Sequence, residues 1–215
     1  MSSEIRLRET LCRMARSMFD RGLTGGSTGN ISARTGDGGL LVSPTGSSFG
    51  ALDPARLSHF DAQGQLIGGD APTKEMPLHS AFYETRSTAG AVVHLHSTHS
   101  VARSLLPDLD PDNFLPPVTA YSIMRLGKVK LLPYFLPGDP AMGDAVRGLA
   151  GKRSAVMLAA HGPVVAGRDV ESACFAIEEL EETAKLTLLL QGRDVNLLNP
   201  AQIAEVVSKF NVAWD

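Results

Sequence analysis

The sequence predicts an α/β fold in which a central, mostly antiparallel or mixed β-sheet carries helices on its faces, built as one domain over residues 1–215. Three observations lead there. Segments of helical period alternate with short apolar strands along the whole chain. In the first half the strands are separated by turn-forming glycines, which suits antiparallel pairing. No repeat or low-complexity linker divides the chain, and 215 residues suffice to bury a substantial core without covalent or metal staples.

Leu7, Leu11, Met14, Ala15, Met18 and Phe19 recur at helical spacing over residues 4–21, and Gly22 follows as a stop. In LTGGSTGNISAR the glycines permit tight turns before a short strand. Asp37-Gly38-Gly39 then turns the chain into LLVSPTG, and HFDAQGQLIGG continues the antiparallel region. Thr73 is placed to cap a helix through EMPLHSAFYETRS, whose apolar side includes Leu78, Phe82 and Tyr83. AVVHLH is the next strand. The second half reads as a helix near 98–106, an irregular proline-rich stretch, strand KVKLL, helix DPAMGDAVRGLA, strand AVMLAAHG and a long helix over residues 169–191. A last short helix starts after Asn199-Pro200.

Composition narrows the function classes. Hydrophobic residues at 43% and charged residues at 20% are ordinary for a globular protein. The 20 basic and 23 acidic side chains give a net charge of −3 with no basic tract, which argues against a nucleic-acid partner. No apolar run approaches the roughly 18 residues of a membrane span, and MSSEIRLRET lacks the apolar core of a signal peptide, so a cytoplasmic protein without a membrane partner is expected. Cys12 and Cys174 sit among apolar neighbours in helix-like segments and read as buried fillers in a reducing compartment.

The chemistry concentrates in HLHSTH. Residues two apart on a strand point the same way, so His94 and His96 project side by side while Val93 and Leu95 face the opposite layer. That geometry suits two nitrogens meeting one metal ion, although a bare H-x-H also occurs as core histidines satisfied by hydrogen bonds. His161, ending the apolar AVMLAA and followed by Gly162-Pro163, supplies a third candidate ligand at the sheet edge. Glu75, at a helix start, offers a fourth ligand or a general base. Three imidazoles and a carboxylate favour Zn2+, while Mn2+, Co2+ and Fe2+ accept the same donors. His99 lies beyond the strand and suits either a substrate contact or a hydrogen bond at the start of a helix. His59 and His79 default to surface or packing roles.

Ser27-Thr28-Gly29-Asn30, Ser43-Pro44-Thr45-Gly46-Ser47-Ser48 and Thr73-Lys74 each offer backbone N–H groups and hydroxyls without bulk. The third lies at the start of a predicted helix and carries a lysine, so a phosphorylated small molecule is the natural guest. The spacing is neither a Walker loop nor a Rossmann fingerprint.

Taken in order, GNIS, SPTG, T-K-E-x-x-x-H, HLHSTH and the final HG resemble the class II aldolase and adducin head-domain family over nearly the whole chain. The resemblance implies one Zn2+ per subunit on His94, His96 and His161, with Glu75 as catalytic acid/base. It places Asn30, Thr45, Gly46, Thr73 and Lys74 at the substrate phosphate and makes Tyr121 a second proton donor. It further implies a homotetramer with the active site near a subunit interface, to which Phe210 and Trp214 of the tail are candidate contributors. Thr73-Lys74 replaces the two serines usual in the aldolases, hinting at a more anionic substrate. TAYSIMRLGKVKLLPYFLPGD, AHGPVVAGRD and EELEETAKL are similar to one subgroup, the 3-oxo-tetronate 4-phosphate decarboxylases of bacterial four-carbon sugar-acid catabolism, whose substrate is a phosphorylated keto acid. The family's other activities, sugar-phosphate aldolase and 4-epimerase, use the same kind of site. A non-enzymatic adducin-like assembly domain would lack the metal constellation.

Overall fold

The computed structural model describes residues 3–107 and 109–214. An amphipathic helix, α1 (Ser3–Asp20), leads through the glycine-rich loop into β1 (Asn30–Arg34), β2 (Leu40–Val42), β3 (Ser58–Phe60) and β4 (Leu66–Gly68). Helix α2 (Met76–Thr85), strand β5 (Ala91–His94) and the short helices α3 (Thr98–Ser104) and α4 (Ala120–Leu126) follow. Strand β6 (Lys130–Leu132), helix α5 (Ala141–Gly148), strands β7 (Ala155–Leu158) and β8 (Gly162–Gly167), and helices α6 (Val170–Leu189) and α7 (Pro200–Phe210) complete the chain.

All eight strands form one sheet in the order β4-β3-β2-β1-β5-β8-β7-β6. Every neighbouring pair is antiparallel except β6 and β7, so the expected mixed sheet with flanking helices is found. Alternation along the strands sorts side chains between two layers. Ile31, Val93, Leu95, Met157 and Val165 join Leu11 and Met18 of α1 and Ile177 and Leu180 of α6 in the larger core. Val92, Val156, Leu158 and Val164 pack on the opposite face against Leu78 and Phe82 of α2 and Met142 and Val146 of α5. Both cysteines are buried fillers; burial pushes the Cys12 thiol up to about 11 and raises that of Cys174 as well.

Three local expectations change. AVMLAAHG is not one strand: β7 stops at Leu158, Ala160 takes a left-handed φ of 54°, and the chain returns as β8 between β7 and β5. Pro163 makes this return look broken in the sequence, yet it sits near the start of β8 and its carbonyl still accepts from the Leu95 N–H at 3.2 Å. Helix α4 lies inside the stretch expected to be irregular. It has only 7 residues, too few for periodicity to show, and begins where the Thr119 hydroxyl accepts from the Ser122 N–H at 3.1 Å. Thr73 does not cap α2; Glu75 occupies that position, with the Thr73 hydroxyl accepting from the Glu75 N–H at 3.2 Å.

The C-terminal segment packs on its own chain, with the Lys128 ammonium 5.6 Å from the centre of the Trp214 ring, while Phe210 stays exposed. Among the described residues no helix is long and apolar enough to cross a membrane.

Helix α3 directly follows the HLHS segment, and Glu181 of α6 fixes its start. This buried carboxylate accepts from the backbone N–H of His99 at 2.8 Å and of Ser100 at 2.9 Å, from the Ser100 hydroxyl at 2.8 Å and from His99 Nδ1 at 2.8 Å. His99 thus makes the expected hydrogen bond at a helix start. Glu181→Ala strands these donors and is expected to lower stability by about 2–4 kcal/mol in urea unfolding, against less than about 0.5 kcal/mol for the exposed Glu182→Ala.

Candidate active site

The site is built where the two central strands end. β5 stops at His94, and Leu95 stays paired to Pro163 across the sheet, so His96 projects on the same side as His94. The tight β7–β8 turn presents His161 to them. That approach requires glycine at 162, because a Cβ there would sit 2.0 Å from the Leu95 carbonyl oxygen and 3.2 Å from Cε1 of His94. Glu75 enters from the start of α2.

One ligand atom from each of Glu75, His94, His96 and His161 falls within 4.8 Å of the others. His94 Nε2 is 3.1 Å from His96 Nε2 and 3.3 Å from His161 Nε2. The Glu75 carboxylate oxygens lie 3.4 Å from His94 Nε2 and 3.3 Å from His161 Nε2. Imidazole nitrogens bound at about 2.0–2.1 Å to a tetrahedral ion are separated by about 3.3 Å, so this spacing is that of a metal's ligand set. His94 Nδ1–H donates to the Pro163 carbonyl at 2.9 Å, which turns the Nε2 lone pair inward. The donor set fits a divalent transition metal.

The electrostatics agree. Burial pushes His94 down to about 3 despite the nearby Glu75, and it also lowers His96, helped by the adjacent His161. Both rings are therefore neutral at ordinary pH, as a metal ligand must be. Burial alone would raise the Glu75 carboxyl, but hydrogen bonding to His161, the neighbouring His94 and the Asn30 amide outweigh it and hold the group well below the usual carboxylate range.

A cleft of about 310 Å3 opens beside the cluster, with His96 and Glu75 in its wall. The five residues expected at a phosphate, Asn30, Thr45, Gly46, Thr73 and Lys74, all line it, and Lys74 brings an ammonium to its rim. The Asn30 side chain also bridges two buried groups, since its Nδ2 donates to Glu75 Oε2 at 2.6 Å and its Oδ1 accepts from His79 Nε2 at 2.5 Å. Tyr121 is not brought to this cleft. It lies 61% exposed on α4, and Arg125 of the same helix stands 5.9 Å from the Phe175 ring centre.

Local pattern assigns no chemical role to two participants. His79 is fully buried and bonded to Asn30, rather than a plain packing residue. Its position four residues after Glu75, one helical turn away, is the available signal. Pro137-Gly138 also lines the cleft, with Gly138 packed beside Lys74, a contact between distant segments that local pattern does not reveal.

Residues 9–188 match the model of the class II aldolase and adducin N-terminal domain. The chain belongs to this family. A 3-oxo-tetronate 4-phosphate decarboxylase of Escherichia coli is 47% identical over 202 residues, covering 94% of this chain and 95% of that one. A crystal structure of YgbL from Escherichia coli, described as an aldolase/epimerase/decarboxylase, superposes with a TM-score of 0.93 at 45% identity, covering 95% of this chain and 99% of that one. An L-fuculose phosphate aldolase of Escherichia coli is 31% identical over 209 residues, covering 92% of this chain and 94% of that one. Family membership carries metal dependence, which the His94, His96, His161 and Glu75 cluster matches.

Replacing His94 and His96 together by alanine is expected to abolish stoichiometric binding of divalent metal, measured by elemental analysis of the dialysed protein. The metal-free chain has its own pH dependence. His79, which burial pushes down to about 4, and His94 at about 3 are neutral when folded but protonate below about 6.5 when unfolded. The unfolded state thus binds more protons below about pH 6.5, and stability falls as pH drops from there toward 4, by at most about 1.4 kcal/mol per group per pH unit. The urea midpoint of metal-free protein should be lower at pH 5 than at pH 7.

Proposed function

We propose that the protein is a zinc-dependent carboxy-lyase that converts 3-oxo-tetronate 4-phosphate to dihydroxyacetone phosphate and CO2, working in the cytoplasm as a homotetramer within four-carbon sugar-acid catabolism. The observation that carries this reading is the convergence of three imidazoles and a carboxylate in the wall of a cleft lined by Lys74 and by small hydroxyl and glycine residues. The likeness to the decarboxylases, at 47% identity against 31% for the aldolase, supports the choice of reaction.

His94, His96 and His161 would hold the ion. Bound there, Zn2+ supplies Lewis-acid stabilisation of the negative charge that develops on substrate oxygen as CO2 departs. Thr45, Gly46, Thr73 and Lys74, with the second amide proton of Asn30, grip the phosphate and thereby fix C4, so that the C1–C2 bond can lie parallel to the carbonyl π orbitals. When that bond breaks, its electron pair passes toward the C3 carbonyl, and C2 must then gain the one proton that the net reaction consumes. Glu75, anionic at rest, collects a proton and delivers it to C2. Tyr121 is the second candidate donor. Because it stands outside the cleft of its own chain, that role requires delivery to the cleft of a neighbouring subunit.

A sugar-phosphate aldolase or 4-epimerase would use the same ion and phosphate grip, and the 31% identity to an L-fuculose phosphate aldolase keeps that reading second. Products separate them. Purified protein given 3-oxo-4-phosphotetronate is expected to release CO2 and dihydroxyacetone phosphate in equal amounts, with activity lost to a chelator and restored by Zn2+. Absence of CO2 from either C2 epimer, with metal bound, would overturn the decarboxylase reading. Lys74→Ala should raise KM about tenfold or more, the loss of one charge-assisted contact, with a smaller effect on kcat.

A further inference from the structure

We propose that His79, backed by Ser32 and Tyr83, is a positioning residue that acts through Asn30 to hold Glu75 as an acid/base instead of letting it close on the metal as a permanent ligand. This rests on the assignment of Glu75 above.

The direction of the hydrogen bonds is set from the carboxylate outward. The Asn30 amide nitrogen faces Glu75 and donates to its Oε2 at 2.6 Å. Asn30 Oδ1 is therefore turned toward His79, and His79 Nε2 must carry the proton of that 2.5 Å contact. A neutral ring protonated on Nε2 leaves Nδ1 as an acceptor, so the Ser32 hydroxyl donates to it across 2.7 Å. The Ser32 oxygen then accepts from the Tyr83 hydroxyl at 2.9 Å. Every proton along Tyr83, Ser32, His79 and Asn30 points toward Glu75. Hydrogen bonds aligned in one direction within a low-dielectric interior strengthen one another.

Burial supports the same assignment. His79 and Ser32 are fully buried and Tyr83 nearly so, and burial pushes His79 down to about 4, so the ring stays neutral and the direction of the chain holds at ordinary pH.

The chain answers a need particular to this site. Both Glu75 oxygens lie close to the converging nitrogens, Oε1 near His161 Nε2 at 3.3 Å and Oε2 near His94 Nε2 at 3.4 Å. The residue also receives no side-chain capping bond at the start of α2. With nothing behind it, a carboxylate so placed would turn both oxygens onto a divalent cation and occupy the position that substrate needs. Asn30 withholds Oε2, and His79 stops Asn30 from rotating.

The test compares zinc-loaded wild type with His79→Leu and with His79→Gln, whose amide N–H can still donate to Asn30. For His79→Leu we expect kcat to fall about 100-fold with KM within twofold, the acidic limb of the kcat profile shifted upward, and one zinc per subunit retained. His79→Gln should recover at least a tenth of the wild-type rate. In 15N-histidine NMR of the wild-type zinc protein, the resonances missing from both variants should report a neutral ring protonated on Nε2 that does not titrate between pH 5.5 and 9. Wild-type kcat and pH profile in His79→Leu would overturn the proposal. So would equal loss of zinc and activity in both variants, or a ring protonated on Nδ1 or titrating within that range. If the wild type releases no CO2, the functional reading fails by itself, and the ring tautomer and zinc content still decide the direction of the chain.

Discussion

The antiparallel contact between β5 and β8 is the constraint on which the rest of the site depends. Through it one carbonyl, that of Pro163, accepts both the backbone N–H of Leu95 and the Nδ1–H of His94. The same pairing that continues the sheet thus sets the tautomer of a metal ligand. It works only because Gly162 has no side chain to meet the Leu95 carbonyl, which lets the turn carrying His161 close against the end of β5. Backbone hydrogen bonding, rather than side-chain packing, brings together histidines 67 residues apart in sequence.

Electrostatics explain why so polar a cluster can sit between apolar layers. Burying several imidazoles and a carboxylate is unfavourable unless each finds a partner or a cation. Here burial holds His94 and His96 neutral, the carboxylate is met by the Asn30 amide, and the nitrogens that face one another converge where a divalent ion satisfies them. Beyond Asn30, His79 and Ser32 are satisfied in turn by one another and by Tyr83, so the polar path through the layer between the sheet and α2 leaves no broken link. Polar groups that are completely paired make the interior rigid, which suits a carboxylate whose direction matters.

The cleft and the ion site are held by different kinds of structure. The metal donors and Glu75 lie in or directly against the ends of β5, β8 and α2, whereas the cleft is walled by the loops around Thr28, Thr45 and Gly138. Loops change without disturbing a sheet, so one metal centre can serve substrates of different charge through residues such as Lys74. The exposed Tyr121 on α4 marks where one chain does not complete the chemistry inferred for it.

Sequence alone determined the order of most elements, because strand alternation and helix caps are local: the Asp37-Gly38-Gly39 turn and the Asn199-Pro200 helix start stand where local pattern places them. It also determined the pairing of His94 with His96, since period two puts both on one side of an extended chain whatever surrounds them. Local pattern failed where a decisive partner lay far along the chain. β8 was hidden by a proline whose missing donor matters little beside β5, α4 was too short to display a period, and the spacing of His79 from Glu75 did not by itself name Asn30 and Ser32 as its partners. Only the tertiary structure decided which carboxylate faces the three nitrogens, which way the protons behind it point, and that Tyr121 stands outside its own cleft. Those outcomes are set by contacts between segments that only folding brings together, and no local spacing encodes them.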